Sequence, residues 1–154
     1  MFLYLVRHGE AKPETEDPAR GLTDKGFRDV SLTALYVHER GIKPDVIYHS
    51  GKKRAQQTAQ IFNDYVKSVK GIIEADSLAP MDDPAIWAGR ISGMRENIML
   101  VGHLPYLARL AGLLLCGDKE KLAADFKTGG IACFERLSDG RWIVAWMLSP
   151  AMIS

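Results

Sequence analysis

Short apolar runs alternate with longer amphipathic segments over most of this chain. Runs of apolar, strand-forming residues between polar boundaries are typical of buried parallel strands. These runs cover residues 1–6, 45–49, 71–74 and 98–101. Apolar residues that recur at helical spacing predict amphipathic helices between and after the strands. The segments with this spacing are 23–41, 55–66, 85–91 and 104–117.

The first predicted helix has a recognisable start and a recognisable inner face. Thr23 is a suitable N-cap, because a threonine hydroxyl accepts a hydrogen bond from a backbone N–H of the first turn. The apolar residues that follow it at helical spacing predict the face that packs on the sheet. These residues are Phe27, Val30, Ala34 and Val37.

The pattern changes near the end of the chain, where two strand-like segments flank a turn. Residues 131–137 and 142–148 are separated by Ser138-Asp139-Gly140, which predicts a β-hairpin. Strands that alternate with helices are typical of an α/β protein. We therefore expect a three-layer α/β/α fold with a mixed, mostly parallel sheet and a C-terminal β-hairpin, formed by a single domain over residues 1–154.

Composition and charge argue against several classes of function. The chain has 154 residues, with 20 Lys and Arg against 19 Asp and Glu, so a broad surface for nucleic acid or membrane is not expected. No apolar stretch approaches the roughly 18 residues of a membrane span, no signal peptide is visible, and a cytoplasmic location is expected. The two cysteines form no Cys-x-x-Cys pair and no histidine spacing indicates a metal site.

Polar side chains follow the predicted parallel strands at the points where the strands end. Arg7 and His8 follow the first strand, Arg54 opens the helix after the second, and His103 follows the fourth. An arginine beside a histidine is weak by itself, since many strands end in polar surface residues. However, the carboxyl ends of neighbouring parallel strands meet in one crevice, where open α/β sheets bind ligands. Gly9 is expected to allow a sharp backbone turn and a close approach to a ligand.

These residues and their neighbours resemble the histidine phosphatase superfamily, also called the phosphoglycerate mutase-like superfamily. The matching motifs follow one another in the order expected for that family. They are Val6-Arg7-His8-Gly9-Glu10-Ala11, Leu22-Thr23 with Gly26, Arg54-Ala55-Gln56-Gln57-Thr58-Ala59 and Val101-Gly102-His103. Residues 127–132 and 146–150 further resemble the small SixA-like branch of phosphohistidine phosphatases, and the resemblance covers essentially the whole chain.

The resemblance implies a role for each of four residues. His8 would attack phosphorus and carry the phosphoryl group until water hydrolyses this intermediate, which requires a neutral imidazole whose other nitrogen donates to a backbone carbonyl. Arg7 and Arg54 would bind the phosphoryl oxygens, because a guanidinium presents paired donors and stays charged. His103 would be a further donor, protonated when phosphate is bound. The resemblance implies neither a metal nor a cofactor.

The sequence defines the substrate less sharply. Many relatives carry a glutamate after the third strand that protonates the leaving oxygen, whereas residues 77–83 contain none. Phosphohistidine in a protein, such as a histidine-transfer domain, is therefore the leading hypothesis, because imidazole leaves more easily than an alkoxide. A phosphatase of small phosphate esters or other phosphoproteins is the alternative, with a proton from Glu10, Glu14, Glu16 or Asp17. A phosphate-binding module without turnover is a third hypothesis.

Overall fold

The computed structural model describes residues 1–153, which form a six-stranded mixed sheet. The strands are β1 (Phe2–Arg7), β2 (Val46–His49), β3 (Ile72–Glu74), β4 (Ile98–Gly102), β5 (Ile131–Arg136) and β6 (Trp142–Leu148). Their order across the sheet is β3-β2-β4-β1-β5-β6. The first four strands are parallel to one another, whereas β5 and β6 form an antiparallel hairpin at one edge.

Helices cover both faces of the sheet. Within the described residues they are α1 (Asp24–Glu39), α2 (Lys53–Val66), α3 (Pro84–Ser92), α4 (Tyr106–Cys116) and a short 3-10 helix at Pro150–Met152. The helices α1 and α2 pack together on one face, and α3 and α4 pack together on the other. The structure therefore confirms the predicted three-layer α/β/α fold with a mostly parallel sheet and a C-terminal hairpin.

The central strand β1 contributes side chains to two cores on opposite faces of the sheet. Leu3 and Leu5 are buried with α3 and α4, whereas Tyr4 and Val6 are buried with α1 and α2. Burying a large apolar side chain stabilises a fold by about 1.5–3 kcal/mol. A strand that is buried on both faces must be apolar at every position, which explains why its sequence is a continuous apolar run.

The start of α1 confirms one prediction and corrects another. Thr23 is the N-cap, and its Oγ1 accepts a hydrogen bond from the backbone N–H of Gly26 at 3.0 Å. Phe27, which was predicted to be buried, is 40% exposed, and Gly26 occupies the inner position of that turn. A Cβ at Gly26 would collide with the carbonyl oxygen of Glu10, so the chain after β1 packs directly against the helix backbone. The other residues of the predicted face are buried.

The two cores lie on opposite faces of one sheet, which is consistent with a single domain. A single domain over residues 1–154 stays a prediction. The longest helix, α1, has 16 residues. Among residues 1–153, no helix combines the length and the apolar character that a membrane span requires.

Hydrogen bonds from both sides fix the carboxyl end of β1. The backbone N–H of His8 donates to the carbonyl of Gly102 in β4 at 3.0 Å, and that of Arg7 donates to Gly130 at 3.2 Å. The backbone N–H of Gly129 in turn donates to the carbonyls of Arg7 and His8, at 3.0 and 3.1 Å. The two residues that end the first apolar run are therefore held firmly at the edge of the sheet.

Candidate active site

The strand order brings the predicted site residues to one edge of the sheet. The strands β2, β4 and β1 are parallel neighbours, so their carboxyl ends meet there. Arg7 is the last residue of β1 and His8 follows it, while His103 follows β4. Arg54 lies in the first turn of α2, which begins shortly after β2. At this edge, where the crevice is expected, the ring centroids of His8 and His103 lie 5.1 Å apart, and the charges of Arg54 and Arg7 act on His8.

His8 is held as a neutral ring with one nitrogen available. Its Nδ1 lies 2.7 Å from the carbonyl oxygen of Gly9, and since a carbonyl only accepts, Nδ1 carries the proton and Nε2 has a free lone pair. Burial lowers the pKa of His8 from 6.5 to about 4; the Gly9 hydrogen bond opposes this shift, and the charges of Arg54 and Arg7 add to it. A neutral ring with a free lone pair needs no further deprotonation before it can attack an electrophile.

His103 faces His8 and is almost fully buried. The two ring centroids are 5.1 Å apart, and the His103 side chain is 1% exposed. Its Nε2 lies 2.6 Å from Oγ of Ser50. When the Ser50 hydroxyl donates to Nε2, the ring proton of His103 is on Nδ1. This nitrogen is buried and has no hydrogen-bond partner in the described residues. Burial, reinforced by His8 and Arg54, lowers the pKa of His103 to about 3. An anion placed beside Nδ1 would receive its hydrogen bond and raise that pKa again.

The two arginines form no ion pair within the described residues, although the charge of Asp125 acts on Arg7. Nη1 of Arg7 donates to the carbonyl of Phe126 at 2.8 Å, but Nε of Arg7 and Nε of Arg54 are buried without a partner. None of the ion pairs within residues 1–153 involves either residue. Burial lowers the pKa of both guanidinium groups, which nevertheless stay charged. Two such guanidinium groups near two neutral imidazoles have the donors that an anion with several oxygens requires.

Thr58 links Gly9, which follows His8, to the helix that carries Arg54. Its Oγ1 accepts the backbone N–H of Gly9 at 3.1 Å and donates to the carbonyl of Arg54, one turn earlier in α2, at 2.8 Å. The sequence analysis missed this role, as it missed the contact between Ser50 and His103. The available signals were a hydroxyl on an otherwise apolar helix face and a serine directly after a strand.

Two glycines near the site have different structural roles, and the role expected for Gly9 is corrected. Gly9 does not have a left-handed backbone; a Cβ there would lie 2.7 Å from Cγ2 of Val30, so close packing against α1 requires the glycine. Gly51 has a φ of +88°, which lets the chain turn from β2 towards α2.

The acidic residues of the segment after β3 are engaged in local structure. Asp76 pairs with Arg90, with Oδ1 and Nη1 2.8 Å apart. Oδ2 of Asp82 accepts the backbone N–H of Ala79 at 2.9 Å, and Asp83 caps α3. These carboxylates therefore hold the segment together and are not free to protonate a leaving group.

Glu74, the last residue of β3, was overlooked in the sequence analysis as a site residue. Its carboxylate lies over Gly51, 2.8 Å from where a Cβ of that residue would be. It is exposed, and its charge opposes the lowering of the His49 pKa by burial. Glu74 is thus an exposed carboxylate against Gly51, the residue that follows Ser50.

Within residues 1–153, no group of three or more His, Cys, Asp or Glu side chains is placed so that it could bind a metal ion. The positive charge that surrounds the site comes instead from arginine. Phosphoryl chemistry without a metal needs such fixed cationic donors for the charge on the phosphoryl oxygens.

A family model and known proteins match this chain. The model of the histidine phosphatase superfamily (branch 1) matches residues 3–97. The solved structure of the protein histidine phosphatase SixA complexed with tungstate has a TM-score of 0.88 and 22% identity, covering 100% of both chains. A proposed phosphohistidine phosphatase SixA from Agrobacterium tumefaciens has a TM-score of 0.79 and 26% identity, covering 97% of each chain.

A curated relative matches part of the chain. It is the mitochondrial serine/threonine-protein phosphatase Pgam5 of Drosophila mojavensis, 42% identical over 60 residues, which are 38% of this chain. The matched segment spans about a fifth of that relative's length, 21%.

Proposed function

We propose that this chain, which belongs to the histidine phosphatase superfamily, is a phosphatase that removes the phosphoryl group from phosphohistidine in proteins. The observation that carries the proposal is the state of His8, a buried neutral imidazole whose Nδ1 is held by Gly9. Nε of Arg7 and Nε of Arg54 are buried without a partner, and the charges of both residues act on His8, which supports an anion site next to this ring. The solved relative from Agrobacterium tumefaciens, a proposed phosphohistidine phosphatase, supports this choice of substrate.

In the first step, Nε2 of His8 attacks phosphorus and forms a new P–N bond. The P–N bond of the substrate breaks, and its electron pair goes to the departing imidazole nitrogen, which leaves as a neutral ring when its other nitrogen is protonated. Arg7 and Arg54 bind the phosphoryl oxygens as charge develops on them. His103 donates from Nδ1, the nitrogen that has no protein partner.

In the second step, water attacks phosphorus and the bond between phosphorus and Nε2 of His8 breaks. The electron pair returns to Nε2, and the two protons of the water leave with the released phosphate. The Gly9 carbonyl keeps the proton on Nδ1 throughout, so His8 returns to the tautomer with which it started.

The preference for phosphohistidine over a phosphate ester rests on the proton donor. Release of an alkoxide requires a positioned acid, which contributes about 100-fold to 10,000-fold. The segment after β3 offers no free carboxyl group, since Asp76, Asp82 and Asp83 are engaged locally. Of the first-loop candidates, Glu10 accepts from Oγ1 of Thr23 at 2.7 Å and Asp17 accepts from backbone N–H groups. Imidazole needs no such acid, because its pKa lies near neutrality.

Glu74 supports the second candidate function, a phosphatase of phosphate esters or other phosphoproteins. Its carboxylate lies beside the turn that carries Ser50, and a curated relative is named a serine/threonine-protein phosphatase. If Glu74 is the acid for an ester, Glu74→Gln lowers kcat on a phosphoserine peptide by about 100-fold or more and leaves phosphohistidine turnover unchanged. If phosphohistidine is the substrate, Glu74→Gln leaves kcat nearly unchanged on both the phosphoserine peptide and phosphohistidine. The wild type is then already slow on the phosphoserine peptide.

The deciding experiment compares kcat/KM on a phosphorylated histidine-transfer domain, a phosphoserine peptide and small phosphate esters. We expect the histidine-transfer domain to be the best substrate, and a cytoplasmic signalling protein of this kind is the partner that the proposal implies. An ester that is faster by about tenfold, or roughly 1.4 kcal/mol of transition-state preference, overturns phosphohistidine specificity. Phosphate binding without turnover of any of these compounds identifies a phosphate-binding module instead.

A further inference from the structure

The loop over residues 11–23, between β1 and α1, is fixed against α2 beside the crevice. The backbone N–H of Leu22 donates to Oε1 of Gln57 at 2.8 Å, one turn along the helix from the site arginine. Within the loop, the backbone N–H of Gly21 donates to Oδ2 of Asp17 at 2.9 Å. The loop is therefore well defined by hydrogen bonds, although it contains no helix and only an isolated bridge.

Arg20 has an unusual backbone in this loop. Its φ is +52°, in the left-handed region that a residue with a side chain seldom adopts. Its backbone N–H donates to the carbonyl of Asp17 at 2.8 Å, and its Nε donates to the carbonyl of Lys12 at 3.2 Å. These contacts fix the base of the guanidinium group and determine the direction in which it extends.

The outer part of the Arg20 guanidinium is available for a ligand. Within residues 1–153, its two terminal nitrogens make no hydrogen bond and no carboxylate pairs with it. The side chain is half-buried, so its charge is only partly screened by solvent. A fixed, unpaired guanidinium of this kind is typical of an anion-binding position.

The charge of Arg20 also acts on the site residues. After burial, it is among the causes that lower the pKa values of His8, His103 and Arg54. Gly21, the next residue, packs on the start of α2. A Cβ at Gly21 would lie 3.1 Å from Cε of Lys53 and 3.3 Å from Oε1 of Gln57, so Arg20 lies beside the turn of α2 that carries Arg54.

We propose that Arg20 is a third arginine of the anion site and that its terminal nitrogens bind the phosphoryl group transferred to His8. The inference rests on the proposed function. A transferring phosphoryl group spreads its negative charge over three equatorial oxygens, and two arginines cannot give each of these oxygens a planar pair of donors. Arg20 adds the third fork from a loop outside the motif that carries Arg7 and His8.

The test measures the dissociation constant of inorganic phosphate by titration calorimetry at fixed pH and ionic strength. Arg20→Asn removes the guanidinium and keeps the backbone, because asparagine adopts the left-handed region readily. Arg20→Lys keeps the charge but loses the planar fork. Arg28→Gln, on the exposed side of α1, removes the same charge away from the site and serves as the control.

We expect Arg20→Asn to weaken phosphate binding by about 10-fold to 150-fold, the range for one lost charge-assisted contact. Arg20→Lys should be intermediate, and Arg28→Gln should stay within about threefold of wild type. Wild-type affinity in a folded Arg20→Asn protein overturns the proposal, as does an equal loss in Arg28→Gln. Should Arg20→Asn not fold, unchanged affinity in Arg20→Lys overturns it. If the wild type binds no phosphate, the proposed function itself fails, and the two failures are thus distinguishable.

Discussion

His8 is kept neutral by the same features that prepare the site for an anion. Burial is the main cause of its low pKa, and the charges of Arg54 and Arg7 add to it. Both arginines lack ion pairs in the described residues, so a bound phosphoryl group would neutralise them while His8 acts as the nucleophile. Burial is also the main cause of the low pKa of His103, and the charge of Arg54 adds to it; a bound anion would oppose both effects and favour protonation of that ring.

The buried histidines predict a loss of stability in mild acid. The pKa values of His8 and His103 are about 4 and about 3 in the folded protein, against 6.5 in an unfolded chain. Unfolding then takes up protons below about pH 6.5, so the stability is complete above this value and falls as the pH approaches the folded-state pKa values. Between about pH 7 and about pH 5 we expect a loss of about 1–2 kcal/mol for each of the two histidines.

Urea unfolding in phosphate-free buffer at several pH values measures this dependence. His103→Asn should remove about half of it, whereas His38→Asn, at an exposed position of α1, should leave it unchanged. A free energy of unfolding that stays level or rises as the pH is lowered would contradict the assignment of His8 and His103 as buried neutral rings.

Thr58 provides a second prediction at the level of single residues. Thr58→Val keeps the shape of the side chain but leaves the buried N–H of Gly9 without an acceptor, which costs about 1–3 kcal/mol. It also removes the link to Arg54, so kcat/KM should fall more than stability alone explains. Thr58→Ser retains the hydroxyl and is the matched control. Wild-type kinetics in Thr58→Val, measured well below its melting temperature, would show that the link is unimportant.

At the level of elements, regular periodicity was predictable and tertiary contacts were not. The strands β1 and β4 were evident from their apolar runs, and Thr23 was recognisable as an N-cap because capping is a local interaction. The burial of Phe27 was predicted wrongly, because a turn of α1 packs through Gly26 instead.

Among the site residues, too, those in local motifs were predictable and those defined by tertiary contacts were not. The four residues implied by the family resemblance lie in short motifs. The roles of Ser50, Thr58 and Glu74 escaped notice because the residues that they contact are distant in sequence. Arg20 contacts Lys12 in its own loop, but the packing of that loop on α2 has no local sequence signal. A hydroxyl or a carboxylate carries no sequence signal for a partner 50 residues away, and only the strand order brings such partners together.

The contact between α1 and the chain after β1 gives a prediction at the level of elements. Gly26→Ala places a Cβ against the carbonyl of Glu10, so the segment that follows His8 must move. We expect a loss of stability of about 1–3 kcal/mol, as for other overpacked positions, together with a loss of activity.

Gly89→Ala is the matched control, since a Cβ at this exposed position of α3 meets nothing within 4 Å. It should stabilise the protein by about 0.5–1 kcal/mol. Thermal unfolding of both variants measures the difference, and a Gly26→Ala protein as stable as the wild type would contradict the close approach.

For the molecule as a whole, the strand order β3-β2-β4-β1-β5-β6 determines which residues meet. It places β1 and β2 on either side of β4, although β4 comes much later in the chain. His8 and its neighbours are therefore held by a sheet that is buried on both faces. The antiparallel hairpin completes the sheet beyond β1 and bonds to its carboxyl end through Gly130.

The source of positive charge leads to a prediction for the whole enzyme. In the proposed mechanism, Arg7 and Arg54 supply the positive charge that a metal ion would otherwise bring to phosphoryl transfer, and His103 donates a hydrogen bond. We therefore expect turnover in the presence of a chelator to equal turnover without it, and added divalent ions to have no effect. Activity that is lost in the chelator and restored by a divalent ion would contradict a site built on arginine.

Direct detection of the phosphorylated enzyme tests the central claim, that His8 is the nucleophile. Wild-type protein is mixed with a radiolabelled phosphohistidine substrate, quenched within milliseconds to seconds, and analysed by peptide mass spectrometry. We predict acid-labile phosphate on His8 of the wild type and none on His8→Ala, which should have no turnover. His103→Ala should still be labelled, at a rate about 100-fold to 1000-fold lower, as for the loss of one donor. Full turnover in His8→Ala, or wild-type turnover with label on another residue, would contradict the claim.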